Sequence, residues 1–234
     1  SYDDSTLFCP AGMQKFKKDF LESKGRTVAT NQHCFRTDDL KELGDGIHFA
    51  EFNMLGVFSF QDWDLQKAIY FWMKFIRNIG LEVSEAHIHP DKKEWSDYYK
   101  IKVVEDETCK WSDGEIGGYC SEFYVNGIEI GNIVNPLGNC IDAGFGLERL
   151  DQLVNGTKPK TREEILANAC NAIVEADYKP SNKKQGYVLR RLLRELKDTN
   201  LNVPFLEEEK NRQKQVEIRY NKLKSKFLDK SKEW

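Results

Sequence analysis

Two spacings of apolar residues organise the chain. Thr27, Val28, Ala29, Thr30, Cys34 and Phe35 form one β-like run, and Met54, Leu55, Val57, Phe58 and Phe60 form another, with a polar, glycine-containing loop over 39–46. Strand, loop and strand predict an antiparallel hairpin across about 31–63. Over Asp64–Ile79 the spacing becomes helical: Leu65, Ala68, Ile69, Trp72, Met73, Phe75 and Ile76 make an apolar stripe that Gly80 closes. Its aromatics read as core. Residues 83–89 and 99–105 are strand-like. Tyr119–Val125 and Ile128–Val134 flank Asn126-Gly127, the strongest hairpin signal in the chain. A further strand begins at Ile141 and opens at Arg149 into a helix running to Val154. Upstream, Thr6–Phe8 reads as a strand, Pro10-Ala11-Gly12 as a turn and Gln14–Leu21 as a short helix.

Residues 155–161 have linker composition, and Thr161 is a candidate N-cap before Glu163 and Glu164. Helices are expected over about 162–176, 184–197 and 205–232. The last carries Val216, Tyr220, Leu223, Phe227 and Leu228 at helical spacing in an otherwise charged sequence. The pattern predicts an α+β domain over 1–157, an antiparallel sheet flanked by helices, and a small helical domain over 158–234.

The 234 residues are 40% hydrophobic, enough for one large or two small cores. No apolar run approaches the length of a membrane span. No secretory leader is visible, and Ser1 reads as a trimmed or processed start. The six cysteines (9, 34, 109, 120, 140 and 170) show no C-x-x-C spacing, so reduced thiols in a cytoplasmic protein are expected. The four histidines show no metal-ligand spacing, and His87 and His89 read as a solvated strand edge. A net charge of −3 conceals an asymmetry. Residues 1–157 hold 16 Lys and Arg against 26 Asp and Glu, or −10; residues 158–234 hold 19 against 12, or +7. A basic C-terminal third suits a polyanion partner, although for the last 30 residues solvated helix faces explain the charge equally well.

Candidate chemistry sits in two blocks. Asp142-Ala-Gly-Phe-Gly-Leu-Glu-Arg149 has glycines spaced i, i+2, which let backbone approach a ligand, followed by a permanently cationic guanidinium. Taken alone, this run equally suits a tight strand-to-helix bend. Upstream, the hairpin carries Arg36 on its outgoing arm and His48 and Phe52 on its return arm. Arg, His and an aromatic on one platform suit a nucleotide, with Arg for phosphate and Phe for the base face.

These blocks resemble motifs 2 and 3 of the class II aminoacyl-tRNA synthetases, and the wider sequence is similar to the alanyl-tRNA synthetase family. Five segments carry the resemblance, in the family's order: Thr6-Leu7-Phe8 with Ala11–Lys17; Gln32–Arg36 with Asp39-Leu40; Met54–Trp63; Ile128–Val134 running on to Gly144–Arg149; and Pro180-Ser181-Asn182 with Gly186–Arg191. The resemblance implies ATP-dependent activation of a small amino acid, most simply alanine, and its transfer to tRNA. It implies that Arg36 bridges the α-phosphate and the substrate carboxylate, that Arg149 stacks on adenine or holds the γ-phosphate, that Phe52 closes the other base face and that His48 lies near the β,γ-phosphates. Glu122 and Glu148 would lie near Mg²⁺, with Glu148 equally suited to pair a neighbouring Arg. Asp142 would bind the substrate ammonium, or cap a turn, and Asn132, Val134 and Gly144 would line the side-chain pocket.

Three departures qualify the match. The tryptophan that walls the family's alanine site falls on Cys109 in an ungapped alignment, or on Trp111 after one β period, and both readings stay open. The loop after Arg36 is short, leaving Lys41 as a stand-in for a family lysine. The family's leading helix and its editing and C-terminal domains have no counterpart here, so serine misactivation is expected, since a small pocket rejects an added hydroxyl only about a hundredfold. In the basic third, Asn182, Lys183, Lys184, Arg190, Arg191 and Arg194 match the family's acceptor-stem contacts, and the three arginines at i, i+1, i+4 also suit a solvated helix face. The segment Ile165–Cys170, where the family carries arginines, is uncharged. Two alternatives remain: transfer of the activated amino acid to a carrier or other non-tRNA acceptor, and a non-catalytic tRNA-binding protein.

Overall fold

A computed structural model describes residues 6–22, 25–112, 114–196 and 199–231. It divides into two compact units, 1–159 and 160–234.

The first unit is built on an eight-stranded, mostly antiparallel sheet. Its strands are β1 (Arg26–Phe35), β2 (Glu51–Phe60), β3 (Glu85–Ile88), β4 (Lys102–Glu105), β5 (Lys110–Ser112), β6 (Gly117–Val125), β7 (Ile128–Asn135) and β8 (Cys140–Gly146). They lie in the order β1-β2-β8-β7-β6-β3-β4, with β5 also paired to β6. The predicted hairpin is the β1–β2 pair, in register from Arg26 opposite Phe60 to Phe35 opposite Glu51. β8 inserts between β2 and β7, which makes it central and explains why nearly all its side chains are buried. The Asn126-Gly127 turn takes positive φ at both residues, as a tight β6–β7 hairpin requires. One pairing is parallel, β3 with β4.

One face of the sheet packs on the helix α2 (Leu65–Asn78). Asp64 caps it by accepting from the Lys67 N–H at 2.8 Å. Leu65, Ala68, Ile69, Trp72 and Ile76 are buried, and Trp72 stacks on Phe145 of β8 with ring centroids 3.9 Å apart. They meet Ile133, Ile141 and Ala143 in the main core. A smaller core covers part of the opposite face. There a 3-10 turn over Gly12–Phe16 and the helix α1 (Lys17–Glu22) lay Met13, Phe16 and Phe20 against Phe58 and Phe60.

Three local expectations change. Thr6–Phe8 is not a strand: the chain bends there, and Cys9 makes the backbone contact with β1 by accepting from the Phe35 N–H at 2.9 Å. His87 and His89 are not at a solvated edge, because β3 lies between β6 and β4. His87 stacks on Tyr124, and His89 is buried, with Nδ1 accepting from the Asp91 N–H. Residues 90–98, between the predicted strands, form a 3-10 segment.

β8 passes directly into α3 (Leu147–Asn155), which ends at Gly156 in the left-handed region. In the second unit, α4 (Arg162–Glu175) starts with a full capping box between Thr161 and Glu164. α5 (Lys184–Glu195) and α6 (Leu206–Ser231) follow. The predicted ends at 197 and 232, and the side chain of Leu228, lie outside what is described. Val216, Tyr220, Leu223 and Phe227 of α6 are exposed despite their helical spacing. Among the described residues no helix is long and apolar enough to cross a membrane.

Candidate active site

Side chains on a strand alternate between faces, and the central strands divide their residues accordingly. Ile133, Ile141, Ala143 and Phe145 point to α2, whereas Asn132, Val134, Asp142 and Gly144 line a cleft on the other face. The register sets Val134 opposite Asp142 and Asn132 opposite Gly144, so the four form a compact floor. The cleft has a volume of about 470 Å³, within the range of small-molecule sites. Gln14 and Lys17, Trp111 and Ser112, and His48, Phe49 and Arg149 complete its walls.

Two glycines leave no room for a Cβ, Gly144 on the cleft face and Gly131 on the α2 face, where it pairs with Phe145. A Cβ on Gly144 would stand 2.8 Å from Met54 Sδ, and one on Gly131 would stand 2.5 Å from the Gly144 carbonyl oxygen. Asp142 is a buried acid beside these small residues. Gln14 is also buried, and its side-chain oxygen has no hydrogen-bond partner. A buried acceptor left unpaired carries a desolvation cost of about 1–3 kcal/mol, which an N–H or O–H of a ligand in the cleft would relieve.

The arginines of the cleft stand among carboxylates, with Arg149 Nη1 3.4 Å from a Glu129 carboxylate oxygen. Arg36 sits at the end of β1, where its Nε donates to the Pro10 carbonyl at 3.0 Å and its guanidinium lies 5.1 Å above the Phe52 ring. Arg149, in the first turn of α3, donates through Nε to the Ile47 carbonyl and through Nη1 to the Glu129 carbonyl, each at 2.9 Å. His48 is held by Asp45, which lies 2.5 Å from its Nδ1 and also accepts from the Ile47 and His48 backbone N–H groups. Burial works against the Asp45 carboxylate, but these hydrogen bonds prevail and bring its pKa down to about 2.

Glu148 lines the cleft. Its partner is Asn53 rather than an arginine: the Asn53 backbone N–H donates to both carboxylate oxygens, at 2.9 and 3.0 Å, and the side-chain amide donates at 3.0 Å. The structure therefore gathers Arg36, His48, Phe52, Asn132, Val134, Asp142, Gly144, Glu148 and Arg149 around one cleft.

Cys109 and Glu122 are not on that lining. Trp111 occupies the wall, while Cys109 is fully buried behind it with Cys120 and Val134. Glu122 lies on β6 opposite Asn132 and accepts from the Tyr124 hydroxyl at 2.9 Å. Burial, then the charge of Glu129, raises its pKa. Gln14, Lys17, Asn53 and Glu129 were not foreseen as site residues. Asn53, a polar residue within an apolar strand, was the one visible hint.

In the second unit, Asn182, Lys183 and Lys184 are exposed at the start of α5, and so is Arg191. Arg190 is buried. Its Nε and Nη2 donate to the two carboxylate oxygens of Glu209 on α6, at 2.9 and 3.2 Å, and Nη1 donates to Asn182 Oδ1. Arg194 also faces Glu209, at 3.8 Å. The three arginines thus do not share one solvated face: α5 buries Leu189 and Leu192 on one side and turns Arg190 toward α6.

Comparison with known proteins agrees with this architecture. Residues 1–115 match the family model for class II (A) tRNA synthetases. The alanine–tRNA ligase of Endomicrobium trichonymphae is 30% identical over 82% of this chain and 31% of its own length. Those of Buchnera aphidicola (29%, over 82% and 32%) and Desulfitobacterium hafniense (28%, over 88% and 33%) are similar in extent. The chain spans about a third of the length of these curated relatives. An antiparallel sheet carrying Arg36 and Phe52 on one hairpin and Arg149 at the start of the helix after β8, with similarity to these ligases along most of the chain, identifies the chain as a member of the class II tRNA synthetase family, related to its alanine–tRNA ligases.

Proposed function

We propose that residues 1–157 activate a small amino acid, alanine in the first place, with ATP to give the aminoacyl-adenylate and pyrophosphate, and that residues 158–234 present the acceptor end of a tRNA for aminoacyl transfer. The observation that carries this reading is the make-up of one cleft. Arg36, His48 and Arg149 line it together with Glu129 and Glu148, and Asp142 stands beside the small floor residues Val134 and Gly144.

Activation brings two anions together, since the substrate carboxylate attacks the α-phosphate. The carboxylate is already ionised, so no general base is required. The need is for cations that screen the approach and stabilise charge gathering on the transferred group. Arg36, at the end of β1, is the candidate to bridge carboxylate and α-phosphate. Arg149, anchored through two carbonyls, is held ready for base stacking or the γ-phosphate. His48 would meet the terminal phosphates, and Asp142 the ammonium group.

Mg²⁺, when bound, neutralises the leaving pyrophosphate. Glu148 is suited to hold it, because it lines the cleft and Asn53 fixes its orientation. Mg²⁺ needs only one or two protein carboxylates besides phosphates and water, so Glu122, off the lining, is not required for it.

For tRNA, Lys183, Lys184, Arg191 and Arg194 are the candidate phosphate contacts. Arg190 would act by positioning Asn182.

Pyrophosphate exchange with a panel of small amino acids, with and without total tRNA, tests the proposal. Alanine-dependent exchange that disappears in Asp142→Ala supports it. Exchange without subsequent charging of tRNA would point to another acceptor. A folded protein that binds tRNA but exchanges with no amino acid would overturn the catalytic reading.

A further inference from the structure

Behind the wall of the cleft lies a group that the activation chemistry does not use. Cys120 and Glu122 are two apart on β6 and so project to the same face. Cys109 comes from the neighbouring segment, where its carbonyl accepts from the Cys120 N–H at 3.0 Å. The two sulfurs and a Glu122 oxygen all lie within 4.8 Å of one another, and Cys120 Sγ is 4.0 Å from Glu122 Oε1. We propose that Cys109, Cys120 and Glu122 form a binding site for one divalent zinc-class cation, with water or a ligand group in the fourth position.

The donor set and the distances favour this assignment. Thiolates select zinc-class ions over Mg²⁺ or Ca²⁺. Tetrahedral zinc with bonds of about 2.3 Å to sulfur and about 2.0–2.2 Å to oxygen sets its ligand atoms roughly 3.5–3.8 Å apart. The three atoms need close by only about an ångström from their present spacing. Both cysteines are buried, and Trp111 and Val134 give them a water-poor apolar shell. Glu122 remains partly exposed, which provides an entry side. The Tyr124 hydroxyl donates to its other oxygen, Oε2, the kind of outer hydrogen bond that orients a metal-binding carboxylate. On binding, each thiol releases its proton to solvent and the sulfur pair bonds the metal, so charge and protons balance without any redox partner. Val134 packs on both cysteines and also lines the cleft, so the ion would stiffen the wall beside the amino-acid pocket.

The test uses the reduced full chain, stripped with a chelator and titrated with Co²⁺ and then Zn²⁺. One equivalent of Co²⁺ should bind, with thiolate-to-cobalt charge-transfer absorption and the intense visible bands of a tetrahedral site, and one equivalent of Zn²⁺ should abolish both. Cys109→Ser and Cys120→Ser should lose the charge-transfer absorption, Glu122→Gln should weaken binding by about 10-fold or more, and Cys170→Ser should leave the spectrum unchanged. The unaltered protein's spectrum reports thiolate ligation by itself, so a variant that fails to fold does not decide the matter. Absence of binding by the folded, reduced protein would overturn the proposal. So would a spectrum that survives loss of either cysteine, or metal that binds only without thiolate absorption. A Cys109–Cys120 disulfide that persists under reducing conditions would overturn it as well.

Discussion

Arg190 and Glu209 form a buried, two-pronged ion pair that joins α5 to α6. Burial penalises the Glu209 carboxylate, but the hydrogen bonds from Arg190 and Gln213 prevail and lower its pKa. An acid with a lowered folded pKa contributes stability above its unfolded value and loses that contribution as pH falls through the folded one. Glu209→Gln leaves a buried guanidinium without its counter-ion and should cost about 3 kcal/mol at neutral pH. Thermal unfolding of the two proteins across the acidic range should show the difference shrinking as Glu209 protonates. A constant difference would contradict this account.

Gly131 and Gly144 should fail differently. In Gly131→Ala the new methyl meets a backbone carbonyl oxygen, which cannot move aside, so a loss of about 1–3 kcal/mol in stability is expected. In Gly144→Ala it meets the flexible Met54 side chain. Stability should change little, while the displaced thioether narrows the cleft and raises the amino-acid KM. Chemical denaturation together with pyrophosphate exchange separates the two cases.

Trp111, not Cys109, walls the cleft. On the proposed activity, Trp111→Ala should admit larger amino acids and erode a preference for alanine. At about 1–3 kcal/mol per methylene of pocket discrimination, tenfold or more of the selectivity against 2-aminobutyrate is at stake. Competition between the two amino acids in the exchange assay measures it.

Asp45 organises the His48 loop. Its pKa of about 2 predicts that its hold on the Ile47 and His48 amides persists below pH 3.8 and is lost only as pH falls through about 2. The amide resonances of these residues should titrate at that lower value. Asp45 is partly exposed, so its interaction with His48 is worth about 0.2–1 kcal/mol. Asp45→Asn should therefore weaken ATP binding only a few-fold.

Gln14 makes the sharpest test of the cleft as a ligand site. If its unpaired oxygen meets a ligand donor, Gln14→Leu should reduce ligand affinity by about 10-fold while leaving stability equal or higher, because the unpaired buried acceptor is removed. Unchanged affinity would show that the oxygen faces no ligand group.

What the sequence disclosed was mostly what neighbours along the chain determine. The apolar stripe of α2, the Asn126-Gly127 turn and the Thr161 cap each depend on residues within a few positions, and each occurs. The Arg36, Phe52 and Arg149 group was legible because strand alternation and two motifs placed it. Contacts between distant segments were not. Glu148 reaches Asn53 across 95 positions, Arg190 meets Glu209 on another helix, and the choice between Trp111 and Cys109 depends on the β5–β6 register, with Trp111 opposite Gly118. Thr6–Phe8 failed as a strand because three residues are too few to specify pairing without a partner.

The alternation along β7 and β8 limits how such a protein can diversify. From Asn132 to Val134 on β7 and from Ile141 to Phe145 on β8, residues alternate between the cleft and the α2 core, so inserting or deleting one residue there would exchange floor for core. New substrate preferences can therefore be reached by substituting cleft residues in place, or by changing the segment around Trp111, which approaches from a separate hairpin. Length variation should be tolerated in the connecting loops and purged from the strands, so the same two strands that line the cleft also restrict the kinds of mutation through which it can change.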